Sequence, residues 1–415
     1  MENQEQKAKE ILKKYNQTHI IKWLDKQEES IKQKIIEQVL EIDLKELEDL
    51  YQKVQRGVVK KDYSITPIHA VIKEKISQTE KCNYIQTGEE ILKNNKYAVV
   101  TMAGGQGTRL GHNGPKGSFK INLEPEEKYL FQIIIEQLIE ANQKYNITIP
   151  YYVMTSVENN KETIAFFEKM NYFNYPKEYV KFFIQAEEPL VNKEGKLLIG
   201  ENKTIKFASN GNGEIYKSMK RTGIIDDMKQ KDIEWVVVTG IDNVLAKAVD
   251  PLFIGLTIEQ KNKIASKSVV KRTPKESGGV FAKANGKPGI IEYVEIPENI
   301  ANDKTPEGEY LYADINIVNH LFNITALEEI ANKVLPYHTA VKNCRFLDAE
   351  GNVQEEKIYK FEKFIFDGFV YLEEMTLLRV KREEEFAPIK NKEGEDSPQT
   401  AKKMYEDCLK RLKNE

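Results

Sequence analysis

The sequence predicts an α/β chain organised on a central doubly wound, mostly parallel sheet of the Rossmann-like kind, with an N-terminal helical layer and a smaller C-terminal mixed domain. Three observations carry this. From about residue 91, short valine-rich apolar runs alternate with segments of helical period, the pattern of successive βα units. Runs such as Tyr97–Met102 and Trp235–Thr239 are apolar almost throughout, as expected of strands buried on both faces. Glycines and polar residues follow these runs directly, and ligands in such sheets sit beyond the carboxyl ends of the strands.

The 415 residues hold 62 Lys+Arg and 65 Asp+Glu, a formal net charge of −3. That balance gives no reason to expect nucleic acid or an anionic membrane as partner. Mean hydropathy is −0.55, and no apolar run approaches the roughly 18–20 residues that span a bilayer. The amino terminus, MENQEQKAKE, is charged and has no apolar signal core, so export is not expected. Cys82, Cys344 and Cys408 are far apart and lack C-x-x-C spacing, which argues for a reducing compartment and against a disulfide framework or a zinc site. A cytoplasmic monomer is the expectation. The length suits one large core with smaller flanking parts, expected as 1–90, 91–335 and 336–415.

Taken in order, residues 1 to about 60 are helical in pattern: Ile31, Ile35, Ile36, Val39 and Leu40 repeat at spacings of three and four. Residues 61–90 contain Pro67 and few periodic apolar positions, and read as a connector. Tyr97–Met102 is a buried strand, Tyr129–Tyr145 an amphipathic helix, and Tyr151–Thr155 a second strand. A helix near Lys161–Met170 and strands at Val180–Ile184 and Trp235–Thr239 follow. Ser277–Phe281 and Ile290–Tyr293 resemble the arms of a hairpin. From about residue 336 a smaller mixed domain is expected, with the last residues helical.

The stretch after the first strand is the most informative. Gly104, Gly105, Gly107 and Gly111 fall within eight residues and are joined by Arg109 and Lys116. A strand feeding a glycine-rich, doubly basic loop is a phosphate cradle, with bare N–H groups and two cations facing one anion. A nucleoside triphosphate site is the reading, with an ordinary glycine-rich turn as the plain alternative. The spacing fails the dinucleotide fingerprint, because Gly105-x-Gly107 is followed by three residues before Gly111. It also fails the ATPase loop, since Pro115-Lys116-Gly117-Ser118 inverts the required order. At later strand ends stand Gln185, which on its own reads first as a solvated polar residue, and Asp242, placed for a metal or a ribose or as a helix cap.

Met102-Ala-Gly-Gly-Gln-Gly-Thr-Arg-Leu-Gly111 followed by Pro115-Lys116-Gly117 resembles the signature of the eukaryotic-type UDP-N-acetylhexosamine pyrophosphorylases, part of which the wider UDP-sugar pyrophosphorylase group shares. The likeness runs from about residue 90 to about residue 402. It includes Lys360-Phe-Glu-Lys-Phe-Ile-Phe-Asp367 and Phe386-Ala-Pro-Ile-Lys390-Asn391. The resemblance implies a nucleotidyltransferase that makes UDP-N-acetylglucosamine and pyrophosphate from UTP and N-acetylglucosamine 1-phosphate, with Mg²⁺, or Mn²⁺ in its place. It implies that Met102, Ala103, Gly104 and Gly105 contact the nucleotide, with Gln185 against the uracil and Gly211 and Asn212 near nucleotide and sugar. Asp242 becomes the metal ligand. Gly279, Glu292, Tyr293 and Asn316 surround the hexose; Phe364 and Phe366 read either as walls of its pocket or simply as core. Lys360 and Lys390 contact phosphate, and Arg109, Lys116 and Lys390 are the catalytic cations. Glu214 stands where the family usually has a further glycine.

The sugar phosphate is already an anionic nucleophile, so such a site needs placed cations rather than a serine, cysteine or histidine triad. The competing readings are a UDP-glucose or UDP-galactose (broad UDP-sugar) pyrophosphorylase, a nucleotide-sugar-binding regulatory protein without catalysis, and a nicotinamide-dependent oxidoreductase.

Overall fold

The computed structural model describes residues 2–57, 64–273, 276, 278–292, 296–297, 300, 302–306 and 308–414. The chain divides into two compact units, each assembled from three segments. The smaller comprises Met1–Asp62, Ala186–Glu214 and Leu335–Phe364; the larger comprises Tyr63–Gln185, Ile215–Val334 and Ile365–Glu415.

The larger unit contains an 11-stranded sheet. Its strands are β1 (Ile65–Pro67), β2 (Val71–Ile72), β3 (Tyr97–Met102), β4 (Tyr151–Thr155), β5 (Val180–Ile184), β6 (Trp235–Gly240), β7 (Ile264–Val270), β8 (Val280–Ala284), β9 (Lys287–Ile291), β10 (Asp314–Asn323) and β11 (Thr376–Arg379). The main path runs β2-β11-β7-β10-β6-β3-β4-β5, while β8 and β9 form a hairpin to which β1 and β10 attach. Neighbours along the path are parallel except at β10, which is antiparallel to both β6 and β7. The expected mixed α/β architecture with a mostly parallel sheet is therefore present. Every residue of β3 and β4 is buried, which is why their sequences show continuous rather than alternating apolarity. Helix Leu130–Tyr145 buries Leu130, Phe131, Ile134, Ile135 and Leu138 in the same core as Val99 and Val237.

One segment departs from expectation. Within the presumed connector, Gln78–Lys93 is a 16-residue α-helix. Its start is fixed by a capping box: Ser77 Oγ accepts from Glu80 N–H at 3.3 Å, and Glu80 Oε2 accepts from Ser77 N–H at 3.1 Å. That Ser-x-x-Glu spacing is a start signal in its own right, but the helix carries few apolar residues, so its period is faint.

The smaller unit gathers four helices, Glu2–Lys14, Thr18–Leu24, Glu29–Glu41 and Leu44–Arg56, with an antiparallel pair His338–Leu347 and Val353–Glu362. Its core joins Leu12, Trp23, Ile35 and Val39 of the helices to Val191, Ile199 and Phe361. The N-terminal helices thus share their core with later segments, and the stretch from residue 336 does not stay together. Leu335–Phe364 belongs here, whereas Thr376–Arg379 pairs with β7 as a strand of the large sheet. The two units therefore differ from the three consecutive segments expected.

Two buried polar arrangements bear on stability. Lys267 on β7 is fully buried and ion-paired to Asp250 and Glu385, both at 2.5 Å; Glu385 also meets Lys73 at 3.1 Å and Lys247 at 3.4 Å. These cations hold the Asp250 and Glu385 carboxyls below the usual carboxylate range, against the opposing effect of burial. On β10, His320 is fully buried, with Nδ1 hydrogen-bonded to Ser266 Oγ at 2.8 Å and its ring 5.1 Å from that of Phe369. Burial alone pushes its imidazole down to about 3.

The sign for His320 follows from linkage. The unfolded imidazole protonates near pH 6.5 and the folded one only near 3, so the unfolded state binds the proton first as pH falls. Stability supported by the neutral ring is present above pH 6.5 and is lost progressively down to about 3. His320→Asn removes this dependence. The difference in unfolding free energy between wild type and variant is expected to shrink by about 2–3 kcal/mol from pH 7.5 to pH 4.5, read from urea unfolding curves. A constant difference would show that His320 does not titrate this way.

Candidate active site

β3 and β6 are parallel neighbours in register from Trp235↔Tyr97 to Gly240↔Met102. Their carboxyl ends are level, so the glycine loop after Met102 and the turn after Gly240 leave the sheet side by side. Lys116 Nζ of the loop stands 3.7 Å from Asp242 Oδ2 of the turn, and both side chains keep some exposure. At the heart of the expected site, a cation and a carboxylate meet at adjacent strand ends.

The loop is held by its own backbone and by one outside residue. Lys116 N–H donates to Gly105 O at 3.0 Å and Gly107 N–H to Gly114 O at 2.9 Å. Asn159, completely buried just past β4, donates from Nδ2 to Ala103 O at 2.9 Å and to Gly105 O at 3.3 Å. Sequence reading missed Asn159, although the rule that informative residues follow strand ends points to the stretch after Thr155. Beneath the loop, a Cβ on Gly117 would come within 2.1 Å of the Phe131 ring, so only glycine lets Lys116 sit this low on helix Leu130–Tyr145.

Gln185 follows β5 and is nearly buried; its N–H donates to Thr155 O at 2.9 Å. A Cβ on Gly104 would lie 2.8 Å from Gln185 Nε2, so the amide rests directly against the loop backbone. Met102, Ala103, Gly104, Gly105, Lys116, Gln185 and Asp242 thus belong to one group of adjoining strand ends, while Arg109 is exposed in the 3₁₀ turn Thr108–Leu110 of the same loop.

Lys390 is delivered to this turn by another segment. Ile389 N–H donates to Asp242 O at 2.8 Å. Lys390 itself is half-exposed, with Nζ 3.5 Å from Asp396 Oδ2 and 5.6 Å from the Phe386 ring centre.

Gly279, Glu292 and Asn316 also converge. Asn316 N–H donates to Gly279 O at 3.0 Å, and a Cβ on Gly279 would lie 3.5 Å from Glu292 Oε1. Asn316 Oδ1 accepts from Val318 N–H at 2.8 Å. Here β10 bulges: its register against β7 shifts between Ser266 and Ser268, and Val318 takes φ +56. A β-branched residue in the left-handed region is strained, and this one faces Gly240, where an added Cβ would meet Val318 Cγ1 at 3.7 Å. Tyr293 lies outside the described residues. Phe366 falls in the 3₁₀ segment Ile365–Tyr371 of the larger unit.

Gly211, Asn212, Lys360 and Phe364 lie on the smaller unit. Gly211 has φ +88, and Lys363 N–H donates to Asn210 O at 2.8 Å while Gly213 N–H donates to Lys363 O at 2.9 Å. Glu214 is buried and ion-paired at 3.1 Å with the equally buried Lys363, so its charge is compensated in place. Lys360 Nζ meets Glu362 Oε1 at 2.8 Å, and the Phe364 ring lies 4.8 Å from that of His338.

Among the described residues no cluster of three or more His, Cys, Asp or Glu gathers in the manner of an all-protein metal cage. One accessible carboxylate beside a phosphate loop fits a divalent ion that takes its remaining ligands from substrate oxygens and water. No helix among the described residues is long and apolar enough to cross a membrane.

The family model for UTP–glucose-1-phosphate uridylyltransferase matches residues 44–395. The chain is 37% identical over 346 residues to the UDP-N-acetylglucosamine pyrophosphorylase of Saccharomyces cerevisiae, covering 80% of this chain and 72% of the yeast protein. It is 34% identical over 349 residues to UDP-N-acetylglucosamine diphosphorylase 2 of Arabidopsis thaliana, covering 79% and 68%. The inhibitor-bound crystal structure of the uridine diphosphate N-acetylglucosamine pyrophosphorylase of Trypanosoma brucei superposes with a TM-score of 0.82 at 27% identity, over 97% of this chain and 84% of that one. With the glycine loop, the level strand ends and these likenesses together, the chain belongs to the UTP–glucose-1-phosphate uridylyltransferase family, among relatives named UDP-N-acetylglucosamine pyrophosphorylase or diphosphorylase.

Proposed function

We propose that the chain is a uridylyltransferase that converts UTP and N-acetylglucosamine 1-phosphate to UDP-N-acetylglucosamine and pyrophosphate. The observation that carries this reading is the approach of Lys116 to Asp242 at 3.7 Å, at the mouth of the glycine loop. In this reading Lys116 would pair with the phosphates of the triphosphate, and the Asp242 carboxylate would hold a divalent ion.

In the proposed reaction a phosphate oxygen of the sugar phosphate forms a bond to the α-phosphorus of UTP. The bond from that phosphorus to the bridging oxygen breaks, and pyrophosphate leaves with the electron pair. No proton must be removed from the nucleophile. The barrier lies in bringing two anions together and in the charge that builds on the leaving group. Arg109, Lys116 and Lys390 hold the phosphates and offset that charge, while loop N–H groups orient the nucleotide. A divalent ion at Asp242, Mg²⁺ in this proposal with Mn²⁺ as a substitute, supplies further positive charge to phosphate oxygens when bound. The buried Gln185 amide offers a donor and an acceptor to a uracil edge.

Parallel turnover assays with the 1-phosphates of N-acetylglucosamine, glucose and galactose test the proposed acceptor. The N-acetyl sugar is expected to be used at least tenfold better in kcat/KM, and a preference for glucose 1-phosphate would overturn the assignment. Removing one well-placed donor in such a site costs about 2.7–4 kcal/mol in the transition state. Lys116→Ala and Arg109→Ala are accordingly expected to lose at least about a hundredfold in kcat at an unchanged thermal midpoint, followed by pyrophosphate release. Gln185→Ala should erode the preference for UTP over ATP and GTP, since leaving a buried partner unpaired costs about 1–3 kcal/mol. Competition assays among the three nucleotides read that change, and an intact preference would remove Gln185 from base selection.

A further inference from the structure

The turn bearing Asp242 and the segment bearing Lys390 are fastened together by more than chain proximity. Two backbone hydrogen bonds join them: Ile389 N–H to Asp242 O at 2.8 Å and Val244 N–H to Ala387 O at 3.2 Å. The side chain of Asn243 adds a second kind of fastening. Its Nδ2 donates to Glu385 O at 2.8 Å, and its Oδ1 accepts from Ala387 N–H at 2.8 Å and from Leu245 N–H at 3.2 Å. The side chain is buried, so the amide is committed to backbone and faces little solvent.

The far end of this brace is itself immobilised. Glu385, whose carbonyl Asn243 grips, places its fully buried carboxylate between Lys267, Lys73 and Lys247. Shifting that carbonyl means disturbing three ion pairs in a region where an unpaired charge is costly. The amide adds hydrogen bonds at Glu385 and Ala387 to the backbone bonds at Ala387 and Ile389, so the segment is held to the turn from Glu385 to Ile389. Five residues beyond Glu385 comes Lys390.

We infer that Asn243 is a positioning residue, which sets Lys390 against Asp242 for the transfer step by tying the turn to the ion-paired Glu385. This rests on the roles given above to Lys390 and Asp242. Asn243 touches no substrate in this account; it acts through Lys390. Displacing a reacting group by about 1 Å can cost on the order of a hundredfold in rate, so the brace is expected to matter for kcat. KM for UTP should be spared, because the glycine loop and Gln185 are held by other bonds.

A double-mutant cycle on the full chain tests the inference. Asn243→Ala is expected to lower kcat by about 10–100-fold when Lys390 is present and by less than about threefold in the Lys390→Ala background, because the two act on one interaction. KM for UTP should change by less than about threefold. Asn243→Ser, which keeps one hydroxyl, provides a milder variant should the alanine form fail to fold, and should show a smaller loss with the same non-additivity. A purely structural role would lower the thermal midpoint and depress activity equally in both backgrounds. Equal losses in both backgrounds, or none in either Asn243 variant, would overturn the inference alone. Full activity in Lys390→Ala would overturn the role of Lys390 and the inference with it.

Discussion

Where β3 and β6 end relative to each other governs the chemistry available to this molecule. The parallel ladder from Trp235↔Tyr97 to Gly240↔Met102 makes the two carboxyl ends level, and only then can a loop lysine reach a turn aspartate. A slip of one residue would send each side chain of the strand to the opposite face of the sheet. The register is guarded on both sides. β4 pairs with β3 from Val99↔Tyr151 onward, and β10 pairs with β6 from Trp235↔Asn323 to Thr239↔Asn319. Because all positions of β3 and β4 are buried, any slip would also bring polar residues into the core.

Charge is sorted by depth. Lys267, which has no exposed side-chain surface, is surrounded by carboxylates it cannot leave. Lys116 and Lys390 retain exposure and hold their carboxylate partners at 3.7 and 3.5 Å, longer than the 2.5 Å of the Lys267 pairs. The first kind of cation stabilises the scaffold and the second kind can exchange partners. Between them lies the bulge in β10, where Val318 accepts a backbone conformation that β-branched residues rarely adopt. Such strain persists only where the surroundings over-determine it. The bond from Val318 N–H to Asn316 Oδ1 is part of that enforcement.

Much of this was legible in the sequence, for definite reasons. Buried parallel strands write themselves as apolar runs, so the positions of β3, β4, β5 and β6 could be read within a residue. The loop announced itself through glycine and cation spacing, and a known family pattern supplied roles for Gln185 and Asp242 that local chemistry left open. Asn159 and Asn243 were not singled out, because their work consists of holding backbone groups, some far away in the sequence, and asparagine near a strand end looks the same whether it caps a turn or braces a site. Helix Gln78–Lys93 was missed because its capping signal was clear but its apolar stripe was not. The division into units was missed for a deeper reason: the residues that complete the core around the N-terminal helices lie more than a hundred positions downstream, and no local pattern encodes that pairing.

The core shared between early and late segments bears on synthesis. Chains emerge from the ribosome amino terminus first, yet the apolar stripes of helices Glu2–Lys14 and Glu29–Glu41 share their core with Val191, Ile199 and Phe361. Those helices precede Phe361 by more than three hundred residues and must remain without their full complement of neighbours until that residue has been translated. The lysines and glutamates exposed on these helices in the folded chain are charges that oppose association of such waiting segments.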